Sequence, residues 1–263
     1  MKWSLCSTGY KEEPVESVLA FAHQLGFQGV ELWDGHLLEF AQRYGSLDPL
    51  VQLLAEYRLS VPAVSGYTQF SKKAEPGEEE LPQIAQICRS IQMAWQLGSP
   101  LVRTFAGHVP SRIADAREVA ATVEDLRIAA DEGRQLGVHI GLELHHNTFA
   151  DTASAAKQLI SQAAHPQLGF IFDGFNLYVE KQDQLQAIEE LFPWTRHVHM
   201  KNYLWSWSDA VPSVPVPLFG GDIDNQALLH RLEEMGYDGF VSLEYFGEEG
   251  RKCVIQTMHE LVK

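Results

Sequence analysis

The stretch VHIGLE at residues 138–143 decides the fold class, because it is a short apolar run that ends in a metal-binding type of side chain. Its length and its branched apolar content are those of a buried parallel strand. The pattern recurs at residues 168–173 (LGFIFD), 197–199 (HVH) and 240–244 (FVSLE). In a barrel of parallel strands the carboxyl ends of all strands open on one face, where active sites lie. The four runs therefore predict a site for a divalent cation.

Strand-like runs alternate with amphipathic stretches along the whole chain. Eight apolar runs are predicted to be strands, at residues 3–6, 29–32, 59–64, 101–105, 138–144, 168–172, 197–200 and 240–244. The segments between them that are typical of helices include residues 15–25, 49–57, 81–97, 116–136, 152–163 and 225–234. A (β/α)8 TIM barrel takes about 250 residues. The 263 residues therefore predict one such barrel, as a single domain over residues 1–263.

Glycines at the predicted helix ends support this alternation. Gly26, Gly98, Gly137 and Gly236 each follow a Leu or Met and precede a predicted strand. Glycine at this position commonly ends a helix in the left-handed conformation. The structural alternative, an open doubly wound sheet, usually carries a glycine-rich phosphate loop after its first strand. Residues 7–10 (STGY) show no GxGxxG pattern, so the barrel is favoured.

Composition limits the partners and the compartment. The formal net charge of −15 repels phosphate backbones and anionic membranes, so we expect no nucleic-acid and no membrane partner. The cysteines are odd in number and far apart (Cys6, Cys88, Cys253), without a CxxC motif, which indicates a reducing compartment. No stretch approaches the roughly 18 apolar residues of a membrane span, and the N-terminus has no apolar leader. We therefore expect a cytoplasmic protein.

Two long loops are predicted after strands on the active-site face. Residues 67–80 are polar and charged, whereas residues 203–222 carry Trp205 and Trp207. Long loops on this face commonly cover a substrate or mediate assembly, so a homo-oligomer is compatible with the sequence. An ordinary surface loop is the alternative for residues 67–80. It is less suited to residues 203–222, because the tryptophans would be costly to leave in water.

The predicted metal ligands are the four strand-end residues Glu143, Asp173, His199 and Glu244. Carboxylates with one imidazole suit Mn²⁺, Mg²⁺, Co²⁺ or Zn²⁺ and leave positions open for substrate oxygens. The alternative is a set of helix caps and ion-pair partners, which is the commoner role of a single strand-end acid. Their recurrence at corresponding strand ends favours the metal site.

These runs, with the segments around them, resemble a known family. The segments GLELHH (141–146), FIFDGFN (170–176), HVHMKN (197–202), LFGGDID (218–224) and GYDGFVSLEYF (236–246) are similar to the xylose isomerase-like TIM-barrel superfamily. Residues 26–36 and 98–108 also resemble its second and fourth strand ends. The resemblance implies that the four residues bind one divalent cation. It also implies that Glu143 and Glu244 transfer protons on a sugar or sugar phosphate, through a metal-stabilised enediolate, as an isomerase or epimerase.

Departures from the family's patterns leave the substrate open. Ketose 3-epimerases carry histidine, glutamate and arginine where this chain has Asn176, Phe149 and Trp205, so their sugar clamp is not reproduced. An Asp-x-x-Asn pattern resembles the inosose dehydratase side of the superfamily, so a lyase of that type is an alternative. A catalytically silent barrel that binds metal and sugar is another. Endonuclease IV fits worse, because its zinc cluster needs a histidine at position 176 and the net charge opposes DNA binding.

Further residues near the strand ends are candidates for contacts with the substrate. Lys201 and Arg103 either bind an acidic group of the substrate or pair with the glutamate ligands. Trp33 and Trp205 can form an apolar wall against a sugar face. We expect His36 and His108, in loops, to be exposed. The predicted substrate-binding set is His145, Asn176, Lys201, Arg103, Glu31, Trp33 and His197.

Overall fold

The computed structural model describes residues 1–70, 83–208 and 210–261, and eight of its strands close into a parallel barrel. The barrel strands are β1 (Lys2–Cys6), β2 (Gly29–Trp33), β3 (Val64–Gln69), β4 (Leu101–Phe105), β5 (His139–Glu143), β6 (Leu168–Asp173), β7 (Thr195–Met200) and β10 (Phe240–Leu243). Their order around the barrel is β1-β10-β7-β6-β5-β4-β3-β2. This closed sheet confirms the predicted (β/α)8 TIM barrel.

Helices lie between the strands along the chain. They are α1 (Val15–Gln24), α2 (Asp34–Tyr44), α3 (Asp48–Tyr57), α4 (Gln83–Gln96), α5 (Ala116–Leu136), α6 (Ala153–Ala163), α7 (Gly174–Val179), α8 (Gln184–Leu191), α9 (Asn225–Glu234) and α10 (Gly247–Leu261). Gly26, Gly98, Gly137 and Gly236 all have positive φ, which confirms the predicted left-handed helix ends. Within the described part of the chain, no helix is long and apolar enough to cross a membrane.

The chain divides into two compact units, and one domain over residues 1–263 stays a prediction. One unit is Ala63–His197, in which β3, β4, β5 and β6 pair in parallel. The register sets Glu143 beside Ile171, two residues before Asp173. Both acids are the last residues of their strands, so both lie at the carboxyl edge of this sheet.

The other unit comprises Met1–Pro62 and Val198–Lys263. In it β1 pairs with β2 on one side and with β10 on the other, and β10 pairs with β7. Cys6 is in register with Glu31, and Ser242 is in register with His199. Glu244 directly follows β10 and donates its N–H to the Met200 carbonyl at 3.1 Å. The register thus brings the strand-end side chains of this unit to one edge.

The third barrel strand begins later than the sequence predicts. The prediction is residues 59–64, whereas the strand is Val64–Gln69. Pro62 has no N–H to donate to a strand ladder, so a regular strand through it loses a hydrogen bond. Before it, Ser60 makes an isolated parallel bridge with Gly29. The prediction is therefore wrong apart from its last residue, because Pro62 delays regular pairing until Val64.

The predicted loop at residues 203–222 contains a short antiparallel hairpin. Strand β8 (Tyr203–Leu204) pairs with β9 (Val214–Pro215). Trp207 is exposed, and Trp205 is half-buried with its ring edge-on to Trp207. The other predicted loop, residues 67–80, begins within β3, and its residues 71–80 lie outside the described residues, as does residue 209.

A substitution at Gly9 can test how closely the loop after β1 approaches the residues that follow β10. An added Cβ at Gly9 would collide with the backbone carbonyl oxygen of Tyr245. Gly9→Ala should therefore lower the free energy of unfolding by about 1–3 kcal/mol, measured by urea denaturation. Gly220→Ala is the matched control, because its Cβ would meet other atoms at 3.5 Å or more, and it should change stability by less than about 0.5 kcal/mol. Equal stability of the two variants would contradict this packing.

Candidate metal centre

Glu143 is a buried carboxylate held by a buried arginine. The Arg103 Nε–H donates to Glu143 Oε2 at 2.5 Å, and Arg103 Nη2 contacts the same oxygen. The guanidinium lies over the rings of Tyr67 and Phe105, at 5.1 and 5.3 Å from their centroids. Arginine suits this place because its planar group can pair with a carboxylate and stack on aromatic rings at once. The positive charge favours the ionised form of Glu143.

Asp173 and Asn176 complete this part of the site in the unit Ala63–His197. Asp173 Oδ1 accepts the Asn176 N–H at 2.9 Å and so caps α7. The Asn176 side-chain amide donates to Glu143 Oε1 at 3.3 Å. Asp173 therefore has the capping role that the sequence left open, and one of its oxygens makes the cap. Asn176 contacts a predicted metal ligand in this structure.

In the other unit, Glu31 fixes the orientation of His199. The His199 Nε2–H donates to Glu31 Oε2 at 2.8 Å, and both side chains are fully buried. Because a carboxylate only accepts hydrogen bonds, Nε2 carries the proton. In the neutral ring the lone pair is then on Nδ1, which lies 3.8 Å from Glu244 Oε2. A histidine oriented in this way by a carboxylate is typical of metal sites.

Glu244 has a cationic partner of its own. The Lys201 ammonium donates to Glu244 Oε2 at 2.5 Å, and both residues are buried. Thr8 Oγ1 donates to the other oxygen at 3.5 Å, and the Cys6 thiol lies 4.0 Å from it. Lys201 thus makes the ion pair that the sequence gave as one of its two possible roles, as Arg103 does with Glu143.

The predicted ligands divide between the two units, and in each unit they lie at the carboxyl ends of neighbouring strands. Glu143 and Asp173 end β5 and β6 in one unit, and His199 and Glu244 lie at the ends of β7 and β10 in the other. Three carboxylates and one imidazole nitrogen form a donor set that fits a divalent cation. All four side chains are buried, so a bound cation would add to the charge compensation that Arg103 and Lys201 already give to Glu143 and Glu244. The residues present therefore fit the cation that the sequence predicts.

An asparagine that the sequence analysis missed anchors the loop after β7. Asn202 is fully buried, its N–H donates to the Tyr245 hydroxyl at 3.0 Å, and its side-chain amide donates to the Leu218 and Ile223 carbonyls, each at 2.8 Å. Tyr245 in turn donates to the Val216 carbonyl at 2.9 Å. Asn202 follows Lys201 and Tyr245 follows Glu244, so this pair of bonds holds the Lys201–Glu244 ion pair in register. Its partners are mostly backbone atoms, which no sequence motif reveals.

The remaining substrate-binding candidates are His145, His197 and Trp33. His145 is half-buried, and its ring stacks on His146 at 4.1 Å and meets Phe105 edge-on. His197 is buried in β7. Trp33 is half-buried at the end of β2, with the Lys11 ammonium 4.8 Å from its ring centroid. Substrate binding by these residues stays a prediction.

His36 is buried rather than exposed, so that expectation is wrong. The Ser7 hydroxyl donates to His36 Nδ1 and His36 Nε2–H donates to the Tyr10 carbonyl, both at 3.2 Å. Ser7 also accepts the Trp33 N–H at 2.8 Å, so this neutral histidine supports the end of β2. The sequence shows only a histidine three residues after Trp33, near the start of a helix. That pattern is too common to indicate that His36 is buried.

The chain belongs to the xylose isomerase-like TIM-barrel family, whose profile matches residues 19–263. It is 26% identical over 276 aligned residues to the 3-dehydroshikimate dehydratase of Bacillus anthracis, with 99% of this chain and 96% of that protein covered. It is 20% identical over 259 residues to the fructoselysine 3-epimerase of Shigella flexneri, with 93% and 90% covered.

The crystal structure of the probable 3-DHS dehydratase involved in petrobactin synthesis from Bacillus anthracis superposes on this chain with a TM-score of 0.88. The two chains are 25% identical, and the superposition covers 100% of this chain and 99% of the other. The relatives of this chain therefore include a dehydratase and an epimerase, so the chain is similar to enzymes of more than one reaction type.

The burial of His36 predicts a pH dependence of stability. Burial lowers the pKa of His36 below its usual 6.5, ahead of smaller effects from its hydrogen bonds and neighbouring charges. The unfolded chain then binds more protons than the folded one as the pH falls through 6.5, so the protein should lose stability on acidification. His36→Gln should show a smaller loss than the unchanged protein between about pH 7.5 and pH 5.5, measured by urea unfolding. The same loss in both proteins would rule out this contribution.

Proposed function

We propose that this protein is a divalent-cation-dependent enzyme that removes a proton next to a carbonyl group of a small hydroxylated substrate. The observation that carries the proposal is the pair of buried glutamates, each with its own buried cationic partner: Glu143 with Arg103, and Glu244 with Lys201. A carboxylate must be ionised to accept a proton, and a neighbouring positive charge favours that state. Two such carboxylates would provide an acceptor and a donor for proton transfer.

Glu143, Asp173, His199 and Glu244 would hold the cation, with Glu31 orienting His199. When bound, a divalent cation supplies Lewis acidity that makes the proton beside a substrate carbonyl easier to remove. Glu244 or Glu143 then accepts that proton. Asn176, whose amide reaches Glu143 Oε1, keeps this carboxylate in place during the transfer.

For the overall reaction, we propose dehydration of a cyclic hydroxyketone of the 3-dehydroshikimate type. The support is the similarity to the Bacillus anthracis dehydratase, which extends over 99% of this chain. Removal of the proton between the carbonyl and a β-hydroxyl carbon leaves an electron pair that forms a carbon–carbon double bond and expels hydroxide. The proton and the hydroxide leave together as water. For 3-dehydroshikimate, the resulting ring dienone then enolises, as one proton leaves the remaining ring CH2 and the ketone oxygen gains one, and the product is an aromatic dihydroxybenzoate.

Isomerisation or epimerisation of a sugar or sugar phosphate is the second candidate. The same two glutamates support it, because one can remove a proton and the other can return it to the substrate. The similarity to the Shigella flexneri epimerase also favours it, at lower identity. The two candidates share the proton-abstraction step and differ only in the fate of the carbanion equivalent. A small-molecule substrate in the cytoplasm is part of both proposals.

Cation binding can be tested with two aspartates that both cap helices. Asp173 caps α7 and Asp183 caps α8, each by accepting an N–H three residues on at 2.9 Å. Asp173→Asn should weaken Mn²⁺ binding by roughly 10–100-fold, because it replaces a charged ligand. Asp183→Asn should leave Mn²⁺ affinity unchanged. Titration calorimetry gives both affinities, and equal affinities of the two variants would remove Asp173 from the ligand set.

Proton transfer can be tested with matched glutamate variants. Glu244→Gln should lower the rate of 3-dehydroshikimate dehydration in Mn²⁺ by about 10²–10⁴-fold, because it removes the acid/base group. Glu248→Gln is the control, since Glu248 is an exposed glutamate of α10 and should leave the rate unchanged. The aromatic product is followed by its ultraviolet absorbance.

A panel of ketoses in D₂O separates the two candidate reactions. Incorporation of deuterium into a ketose without dehydration of 3-dehydroshikimate would favour the isomerase. Failure of both assays with Mn²⁺ bound would favour a catalytically silent barrel.

A further inference from the structure

A second set of metal-binding side chains lies beside the proposed cation site. Cys6, Glu31 and His199 each offer one ligand atom, and these atoms lie within 4.8 Å of one another. All three residues are fully buried. They come from β1, β2 and β7, and the register of β1 with β2 places Cys6 directly opposite Glu31. Neither the sugar chemistry nor the dehydration requires a thiol at this place.

The thiol changes the kind of ion that this set prefers. Glu143, Asp173 and Glu244 are oxygen donors, which suit hard cations such as Mg²⁺ and Mn²⁺. A thiolate with an imidazole and one carboxylate suits softer ions such as Zn²⁺ and Co²⁺, and three protein ligands are enough for a tetrahedral site with one open position. The two sets therefore differ in the class of ion that each binds best.

His199 can serve the two sets through different nitrogens. Nδ1 lies on the side of Glu244, at 3.8 Å, whereas Nε2 lies 2.8 Å from Glu31. A neutral imidazole has one lone pair and one N–H. An ion bound at Nε2 takes the place of the proton that Nε2 gives to Glu31, and the ring proton then resides on Nδ1. In that state Nδ1 has no lone pair for the oxygen-rich set.

We infer that Cys6, Glu31 and His199 form a binding site for a thiophilic divalent ion, and that this ion competes with the activating cation for His199. Binding releases the thiol proton of Cys6 to solvent, since the thiolate is the ligand. Thr8, whose hydroxyl lies 3.1 Å from Cys6 Sγ, stays within hydrogen-bond distance of the sulfur. The inference rests on the proposed function only for the identity of the ion that is displaced.

Cobalt is the probe that reports directly on the thiolate. Co²⁺ added to the full chain should produce the near-ultraviolet charge-transfer band of a cobalt–thiolate bond. Cys6→Ser should abolish this band and weaken Co²⁺ binding by roughly tenfold or more, because it removes a ligand. Cys253→Ser is the matched control, since Cys253 is also buried and is not part of either described ligand group, so it should keep the band. A band that persists in Cys6→Ser would overturn the inference.

Two further measurements test the inference: competition between Co²⁺ and Mn²⁺, and the release of a proton when Co²⁺ binds. One equivalent of Co²⁺ should weaken Mn²⁺ binding to the unchanged protein by roughly tenfold, and less in Cys6→Ser. Co²⁺ should also release a thiol proton at neutral pH, a measurement that needs no variant. If the protein binds Mn²⁺ and also binds Co²⁺ without the cobalt–thiolate band, this inference is overturned and the proposed function still stands. Binding of neither ion would contradict both.

Discussion

Burial of ionised carboxylates at strand ends is the constraint on which the rest of this structure depends. Glu31, Glu143, Asp173 and Glu244 are all at most 2% exposed. An isolated buried charge costs several kcal/mol, so each needs nearby donors or cations. Two of the carboxylates form ion pairs, Glu143 with Arg103 and Glu244 with Lys201. The other two accept hydrogen bonds, Glu31 from His199 and Asp173 from the backbone of α7. The residues that support the proposed chemistry therefore also lower the energetic cost of burying these four carboxylates.

The barrel and the strand-end acids could be predicted from the sequence because both depend on local patterns. Buried parallel strands are short apolar runs, and a polar residue that ends such a run stands out. The prediction failed at residues 59–64, where the apolar run is real but Pro62 cannot support a ladder. Hydrophobicity shows that a segment is buried, and the hydrogen bonds of the backbone decide whether it is a strand.

The partners of the site residues were less predictable. Lys201 and Arg103 could be placed near the strand ends, but their ion pairs with Glu244 and Glu143 depend on contacts between separate strands. Asn202 and Tyr245 could not be identified at all, because they bond to backbone atoms in a loop whose path the sequence does not specify. The predicted exposure of His36 is wrong for a similar reason, since its partners Ser7 and the Tyr10 carbonyl come from a different segment.

The two proposed acid/base glutamates differ in how firmly they are held. Glu143 is bound by a guanidinium through two nitrogens, and that guanidinium is itself stacked on Tyr67 and Phe105. Glu244 binds the Lys201 ammonium through one oxygen, and its other oxygen lies 3.5 Å from the Thr8 hydroxyl and 4.0 Å from the Cys6 thiol. A proton acceptor must reorient slightly as its bond to the proton forms, whereas a ligand benefits from a fixed position. A single ammonium constrains a carboxylate less than a stacked guanidinium that binds through two nitrogens, so Glu244 suits the role of proton acceptor better than Glu143 does.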